Sequence, residues 1–127
     1  MKKAQQRKVA YSYMRGRLEY LFEIWKNCVK EDDYQDVDNF VLCFEYNEVE
    51  GYFSYTFGTG GPHDEVRFRV DYDGEIRWIE YFYADWNVYY TIPIGTQSKR
   101  GIMLLDILYH WTGGLEWREL VNLAMPE

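Results

Sequence analysis

Residues 58–86 read GTGGPHDEVRFRVDYDGEIRWIEYFYADW, and the fold follows from how this stretch is read. From Glu65 to Tyr72 apolar and charged side chains alternate: Val66, Phe68, Val70 and Tyr72 against Glu65, Arg67, Arg69 and Asp71. A period of two puts the sets on opposite faces of a β-strand. Asp73-Gly74 suits a two-residue type I′ turn, whose central residues take positive φ. Ile76 to Tyr83 then returns with Trp78 and Phe82 on one face and Tyr81 and Tyr83 on the other. A strand apolar on both sides is expected to be central or covered on both faces. The two-residue turn sets Arg67 opposite Glu80, Arg69 opposite Trp78 and Phe68 opposite Ile79, which offers a salt pair, a cation–π contact and an apolar pair. A bulged three-residue turn would instead set Phe68 against Trp78; the first register is the expectation.

The Gly58–Pro62 loop ahead of this hairpin is glycine-rich, but it leads into a strand, has no lysine and is followed by Asp64 and Glu65. A phosphate cradle needs a helix after the glycines and a basic residue, so phosphate binding is disfavoured. Working toward the N-terminus, Tyr52 to Phe57 alternates, with Phe53, Tyr55 and Phe57 expected inward and Ser54 and Thr56 on a solvent-accessible face. Residues 47–51 form a longer hairpin loop back to a strand at Phe40–Tyr46. Residues 31–38 read as a solvated acidic loop. Residues 5–30 carry Met14, Leu18, Leu21, Phe22, Trp25 and Val29 at the spacing of one helical face, while residues 1–8 read as a flexible basic tail. Toward the C-terminus, Ala84-Asp85 is expected to break or bulge the strand before residues 86–92 continue it, and Pro93 and Gly95 end the sheet. Ser98 caps a helix over Lys99–Trp111, Thr112-Gly113-Gly114 stops it, and Leu115–Met125 forms a last short helix. The expectation is a single α+β domain, residues 1–127: an antiparallel sheet of about five strands with an N-terminal helix and two C-terminal helices packed on it.

Charge divides the chain. Residues 1–30 hold eight Lys/Arg against two Glu, whereas residues 31–127 hold six against nineteen acids, and the net charge is -7. Between Glu31 and Glu50 lie eight acids and no base. Such a body repels nucleic acid and is steered toward basic partners. Tyrosine, at 13 copies, outnumbers Phe and Trp combined, so many rings should sit half-buried or at a contact surface. No apolar run approaches the ~20 residues of a membrane helix, and two cysteines without a CxxC favour a reduced, cytoplasmic setting.

Chemistry-bearing residues are few. Asp106 and His110 lie four apart on one helical face and could hold a metal with a third ligand; a surface Asp–His pair is the expected outcome. Cys28 and Cys43 fall in apolar settings and read as inert core rather than nucleophiles. Asp85 reads as a bulge residue whose carboxylate takes loop amides such as those of Gly60 and Gly61. No catalytic, cofactor or metal site is assigned. A protein-binding surface is assigned to Asp32, Asp33, Tyr34 and Asp36 of the acidic loop, Glu48 and Glu50 of the hairpin tip, and Asp85 and Trp86.

The spacing of Gly60, Gly61, Pro62, Phe68, Asp71, Gly74, Tyr81, Asp85 and Trp86 resembles a pattern in small uncharacterised proteins of phages and other mobile elements, over less than a quarter of the chain. The resemblance implies a small acidic α+β protein without enzymatic activity that inhibits host defence machinery, of the anti-CRISPR or anti-restriction kind, by covering a basic surface of a nuclease in the host cytoplasm. An immunity protein that neutralises a toxin shares these features, and a small enzyme or ligand-binding domain is the third reading.

Overall fold

The computed structural model describes residues 3–71, 75–86 and 88–113. In chain order the elements are helices α1 (Lys3–Glu31) and α2 (Gln35–Phe40), strands β1 (Cys43–Asn47), β2 (Tyr52–Gly58), β3 (His63–Val70), β4 (Ile76–Asp85) and β5 (Val88–Ile94), and helix α3 (Lys99–Trp111). The strands form an antiparallel meander in sequence order, β1-β2-β3-β4-β5. This is the α+β class expected from the alternation. The central hairpin sets Arg67 opposite Glu80, Phe68 opposite Ile79 and Arg69 opposite Trp78, the expected facing residues, and then shifts by one between Arg69 and Val70, so that Val70 pairs with Ile76. The turn residues Asp73 and Gly74 and the helix expected over Leu115–Met125 lie outside the described residues.

The alternation that defines the strands also makes the core. Tyr55, Val66, Phe68, Ile79, Tyr81 and Ile92 point to one face of the sheet and are buried there under Met14, Leu18 and Leu21 of α1 and Met103, Leu104, Ile107 and Leu108 of α3. Burial of each such side chain contributes about 1.5–3 kcal/mol. The α1 stripe begins at Ala10 and ends at Cys28, which is buried as expected, while Val29 is half exposed. The helix itself starts at Lys3, so residues 3–8 are helical rather than a tail. Helix α3 matches its expected span. The Ser98 hydroxyl accepts from the Gly101 amide at 3.1 Å, and a Cβ on Gly101 would lie 2.0 Å from the Gly95 carbonyl oxygen, so only glycine lets the loop pass this closely.

Four local expectations are corrected. Residues 31–38 are not all loop, because Gln35–Phe40 forms α2. Asp33 Oδ1 accepts from the Gln35 amide at 3.0 Å, Asp36 and Asp38 complement the positive end of the helix dipole, and Val37 is fully buried beneath it. Phe40 therefore belongs to α2, where its ring meets Phe57 at 5.6 Å, and β1 starts later, at Cys43. Ser54 and Thr56 face away from the helices but are only 7% and 3% exposed. Finally, the chain does not run on through Trp86. Asp85 pairs with Val88, so β4 and β5 are separate antiparallel strands joined by a reversal after Asp85.

One core atom lacks a partner among the described residues: the Tyr55 hydroxyl. Its ring stacks on Trp111 at 4.6 Å, but an unpaired buried hydroxyl carries its full desolvation penalty. Tyr55→Phe is expected to raise stability by about 1 kcal/mol; a urea titration with a lower midpoint for the variant would contradict this.

Candidate functional site

Asp64 is the most buried charge in the described residues. The strand alternation that sends His63 and Glu65 to the outer face turns Asp64 inward, where it is 0% exposed. Arg17 of α1 reaches it with Nε at 3.0 Å from Oδ2 and Nη2 at 3.3 Å from Oδ1, and the Tyr81 hydroxyl donates to Oδ2 at 2.8 Å. A Cβ on Gly58 would press on both Arg17 and Asp64 at 3.0 Å, so the bare glycine makes room for the pair. Burial first, then the bond to Asp64, pushes the Tyr81 phenol well above its ordinary value. All three groups engage one another, and the cluster pins α1 to the sheet.

A second polar cluster joins the three helices. Trp25 Nε1 and the Tyr34 hydroxyl both donate to Asp106 Oδ2, at 2.8 Å and 2.5 Å. Burial, reinforced by the bond to the Asp106 carboxylate, raises the Tyr34 phenol to about 12. Trp111 Nε1 donates to Asp38 Oδ1, and His110 stacks on Tyr34 at 4.3 Å while its Nε2 lies 3.3 Å from Asp38. The expected Asp106–His110 pair is thus not formed: spacing gives them one helical face, but Trp25 and Tyr34 claim Asp106 and α2 claims His110. Among the described residues no group of three or more His, Cys, Asp or Glu could hold a metal ion.

The sheet face opposite the helices is a lattice of ions and rings. Glu65 accepts from His63 Nε2 at 2.5 Å on one oxygen and from Arg67 Nε at 2.9 Å on the other. The Arg67 guanidinium lies 3.8 Å from the Phe82 ring centroid and 4.7 Å from that of Tyr52. Arg69 also lies over Tyr52, at 4.7 Å, and bonds Glu80 at 2.9 Å. The facing salt pair and cation–π contact read from the hairpin register are therefore replaced, while Phe68 still faces Ile79. Arg67 takes Glu65 two residues along its own strand, and Arg69 takes Glu80 and the Tyr52 ring, while Arg77 covers Trp78. Long side chains lean along the strand, and diagonal neighbours are within their reach. Beside this lattice, over β1 and β2, lies a cleft of about 400 Å³. Cys43 lines it and is exposed, which corrects its reading as core; its thiol donates to Glu45 Oε1 at 3.6 Å.

The residues assigned to a protein-binding surface fall in three places. Asp32, Asp33 and Asp36 are exposed at the α1–α2 junction, but Asp33 holds the start of α2 and Tyr34 is tied to Asp106 and His110. Glu48 and Glu50 sit in the β1–β2 turn, where the Glu50 carbonyl accepts from Arg69 Nη1 at 3.3 Å. Asp85 and Trp86 lie at the β4–β5 reversal. In a meander these two turns mark opposite ends of the sheet, roughly 20–30 Å apart for strands of this length. Asp85 Oδ1 lies over Gly61, 3.6 Å from where a Cβ would stand. Trp86 is 97% exposed and has φ of 55°. A reversal this tight takes positive φ at its first position, which glycine or asparagine normally supplies, and Tyr89 beside it is 71% exposed.

The cleft escaped the sequence reading, although its signal was present. His63, Glu65 and Arg67 share one face by alternation, as do Cys43 and Glu45, and Ser54 and Thr56; only the pairing of β1, β2 and β3 brings the sets together. Compared with known proteins, the chain matches no family model, no curated protein and no solved structure. No helix among the described residues is long and apolar enough to cross a membrane.

Proposed function

We propose that this is a non-enzymatic binding protein that occupies a basic surface of a defence nuclease, as inhibitors of CRISPR effectors or restriction enzymes do. The observation that carries the reading is Trp86. A bulky ring at positive φ costs roughly 1–2 kcal/mol, and here that conformation holds an indole almost wholly in water. Strained, exposed groups of this kind concentrate at contact sites, and tryptophan is the commonest anchor of protein interfaces. Tyr89 extends the ring surface, and Asp85 adds charge beside it. The net charge of -7 supports the choice of partner, since acids steer association with a basic surface. The exposed acids at Asp32, Asp36 and Glu48 contribute to steering rather than to one contiguous contact.

The test uses Trp86→Gly, because glycine accepts positive φ and removes only the ring. The variant is expected to be as stable as the parent or more so, by up to about 1 kcal/mol. In a tagged pull-down from bacterial lysate containing CRISPR and restriction effectors, the parent should recover one stoichiometric nuclease. Trp86→Gly should weaken that complex by about 2 kcal/mol, near thirtyfold. An unchanged affinity would remove Trp86 from the interface, and recovery of a toxin instead would favour the immunity reading.

A further inference from the structure

The cleft over β1 and β2 has a one-sided chemistry. Among the described residues three carboxylates line it, Glu45, Glu48 and Glu65, and no lysine or arginine does; His63 is the one described lining side chain able to take a positive charge. Glu65 is already satisfied, since both its oxygens are taken by His63 and Arg67. That leaves Glu45 and Glu48 as the uncompensated charges. Glu45 is an exposed side chain whose carboxylate has only the weak Cys43 thiol as a donor, and Glu48 is exposed at the rim.

A second, independent feature sits on the wall. Thr56 is 3% exposed and lines the cleft, its hydroxyl has no hydrogen-bond partner among the described residues, and it is not sealed from solvent as the Tyr55 hydroxyl is, so it opens on the cleft. Ser54, in the neighbouring row, makes only a long bond of 3.5 Å to the Glu45 carbonyl oxygen. Two hydroxyl oxygens and two open carboxylates therefore face one space, and all of them can accept N–H donors.

We propose that this cleft binds an organic cation, an alkylammonium or guanidinium group, with Glu45 and Glu48 as counter-ions and the Thr56 and Ser54 hydroxyls as acceptors for its N–H groups. The volume of about 400 Å³ lies within the range of small-molecule sites. An anionic or carboxylate ligand is disfavoured by the same charges, because Arg67 and Arg69 are held by Glu65 and Glu80. A free amine and a basic side chain of a protein offer the same group. Trp86 is not among the residues that line the cleft, so this binding does not depend on it.

The test is a titration of the full chain, labelled with 15N, with agmatine, spermidine and a capped Gly-Arg-Gly peptide at millimolar concentration. Saturable shifts confined to the amides of β1, β2 and His63–Glu65 are expected, weakening as salt rises. Glu45→Gln should reduce the affinity about tenfold, and Thr56→Val, which keeps the shape, should reduce it by a smaller factor. Both variants should retain the parent's circular dichroism, and Trp86→Gly should bind agmatine as the parent does. Binding of agmatine or spermidine without the peptide identifies a free amine as the source; binding of the peptide as well identifies a protein side chain, and either supports the site. Absence of saturable shifts with all three probes, or shifts that Glu45→Gln leaves unchanged, overturns it.

Discussion

Arg17→Met is expected to destabilise the protein by about 3 kcal/mol, roughly a 10 °C loss of melting temperature for a domain of this size. The physical reason is asymmetry. Asp64 is wholly buried, whereas the Arg17 side chain is 33% exposed. Removing the arginine leaves a carboxylate inside the core with one neutral donor, the Tyr81 hydroxyl. Breaking a buried pair in this way costs about 3–5 kcal/mol, and the lower end applies because Arg17 touches water and Tyr81 still donates. Asp64→Asn is the milder change. The amide oxygen can still accept from Tyr81, and the released guanidinium can turn toward solvent while keeping its place near the Phe57 ring, 5.9 Å away. The double variant Arg17→Met with Asp64→Asn should therefore be more stable than Arg17→Met alone, a non-additivity that a double-mutant cycle in urea reads directly. If Arg17→Met costs less than about 1 kcal/mol, the pair is worth no more than a surface ion pair, and the junction of α1 with the sheet is held by apolar contact alone.

The same residue shows where sequence legibility ends. Strand alternation correctly divided residues 65–70 between two faces, and extending it one residue back would have turned Asp64 inward. An acid in a core position is readable only once its counter-ion is known, and Arg17 lies forty-seven positions away on a helix. The helix α3 boundaries were legible because cap, stripe and stop are all local. The facing residues along most of the hairpin were legible from its alternation, although the one-residue shift that pairs Val70 with Ile76 was not. Three features were not. The α2 turn is held by Val37 beneath it and by Trp111 and His110 reaching Asp38 from α3, all contacts remote in sequence. The β4–β5 reversal places tryptophan where a turn signal would show glycine or asparagine, so its sequence reads as strand. The cleft needs three strands in register before Glu45, Thr56 and His63 share a wall.

Tyrosine content makes a second large effect testable: stability is expected to collapse between about pH 10 and pH 12. Among the described residues five phenols are held above their ordinary value of 10.0, Tyr34 at about 12 and Tyr46, Tyr55, Tyr81 and Tyr83 also raised. Burial is the first cause in each, because a phenolate loses its hydration in the core. Neighbouring carboxylates add to it: Asp106 beside Tyr34, Glu48 near Tyr46, Asp38 near Tyr55, Asp64 bonded to Tyr81 and Asp85 near Tyr83. Below pH 10 these phenols are neutral in both the folded and the unfolded chain, so their contribution to stability is fully present. As pH rises past 10 the unfolded chain releases protons that the folded chain keeps, and each such tyrosine lowers stability by about 1.4 kcal/mol per pH unit until its folded value is reached. The two fully buried rings, Tyr55 and Tyr81, remove about 2.7 kcal/mol per unit together; for a domain with 5–15 kcal/mol in total, one to two units with the other rings added is enough to unfold it. Urea midpoints measured from pH 8 to pH 12 should fall steeply above pH 10, and the phenolate absorbance of the buried rings should appear together with the loss of circular dichroism. Tyr55→Phe should flatten the slope by one proton as well as raise stability at neutral pH, which ties the alkaline transition to a named ring. A midpoint that stays level to pH 12 would mean that water reaches these phenols, and that the face on which α1 and α3 pack is far less dry than its geometry implies.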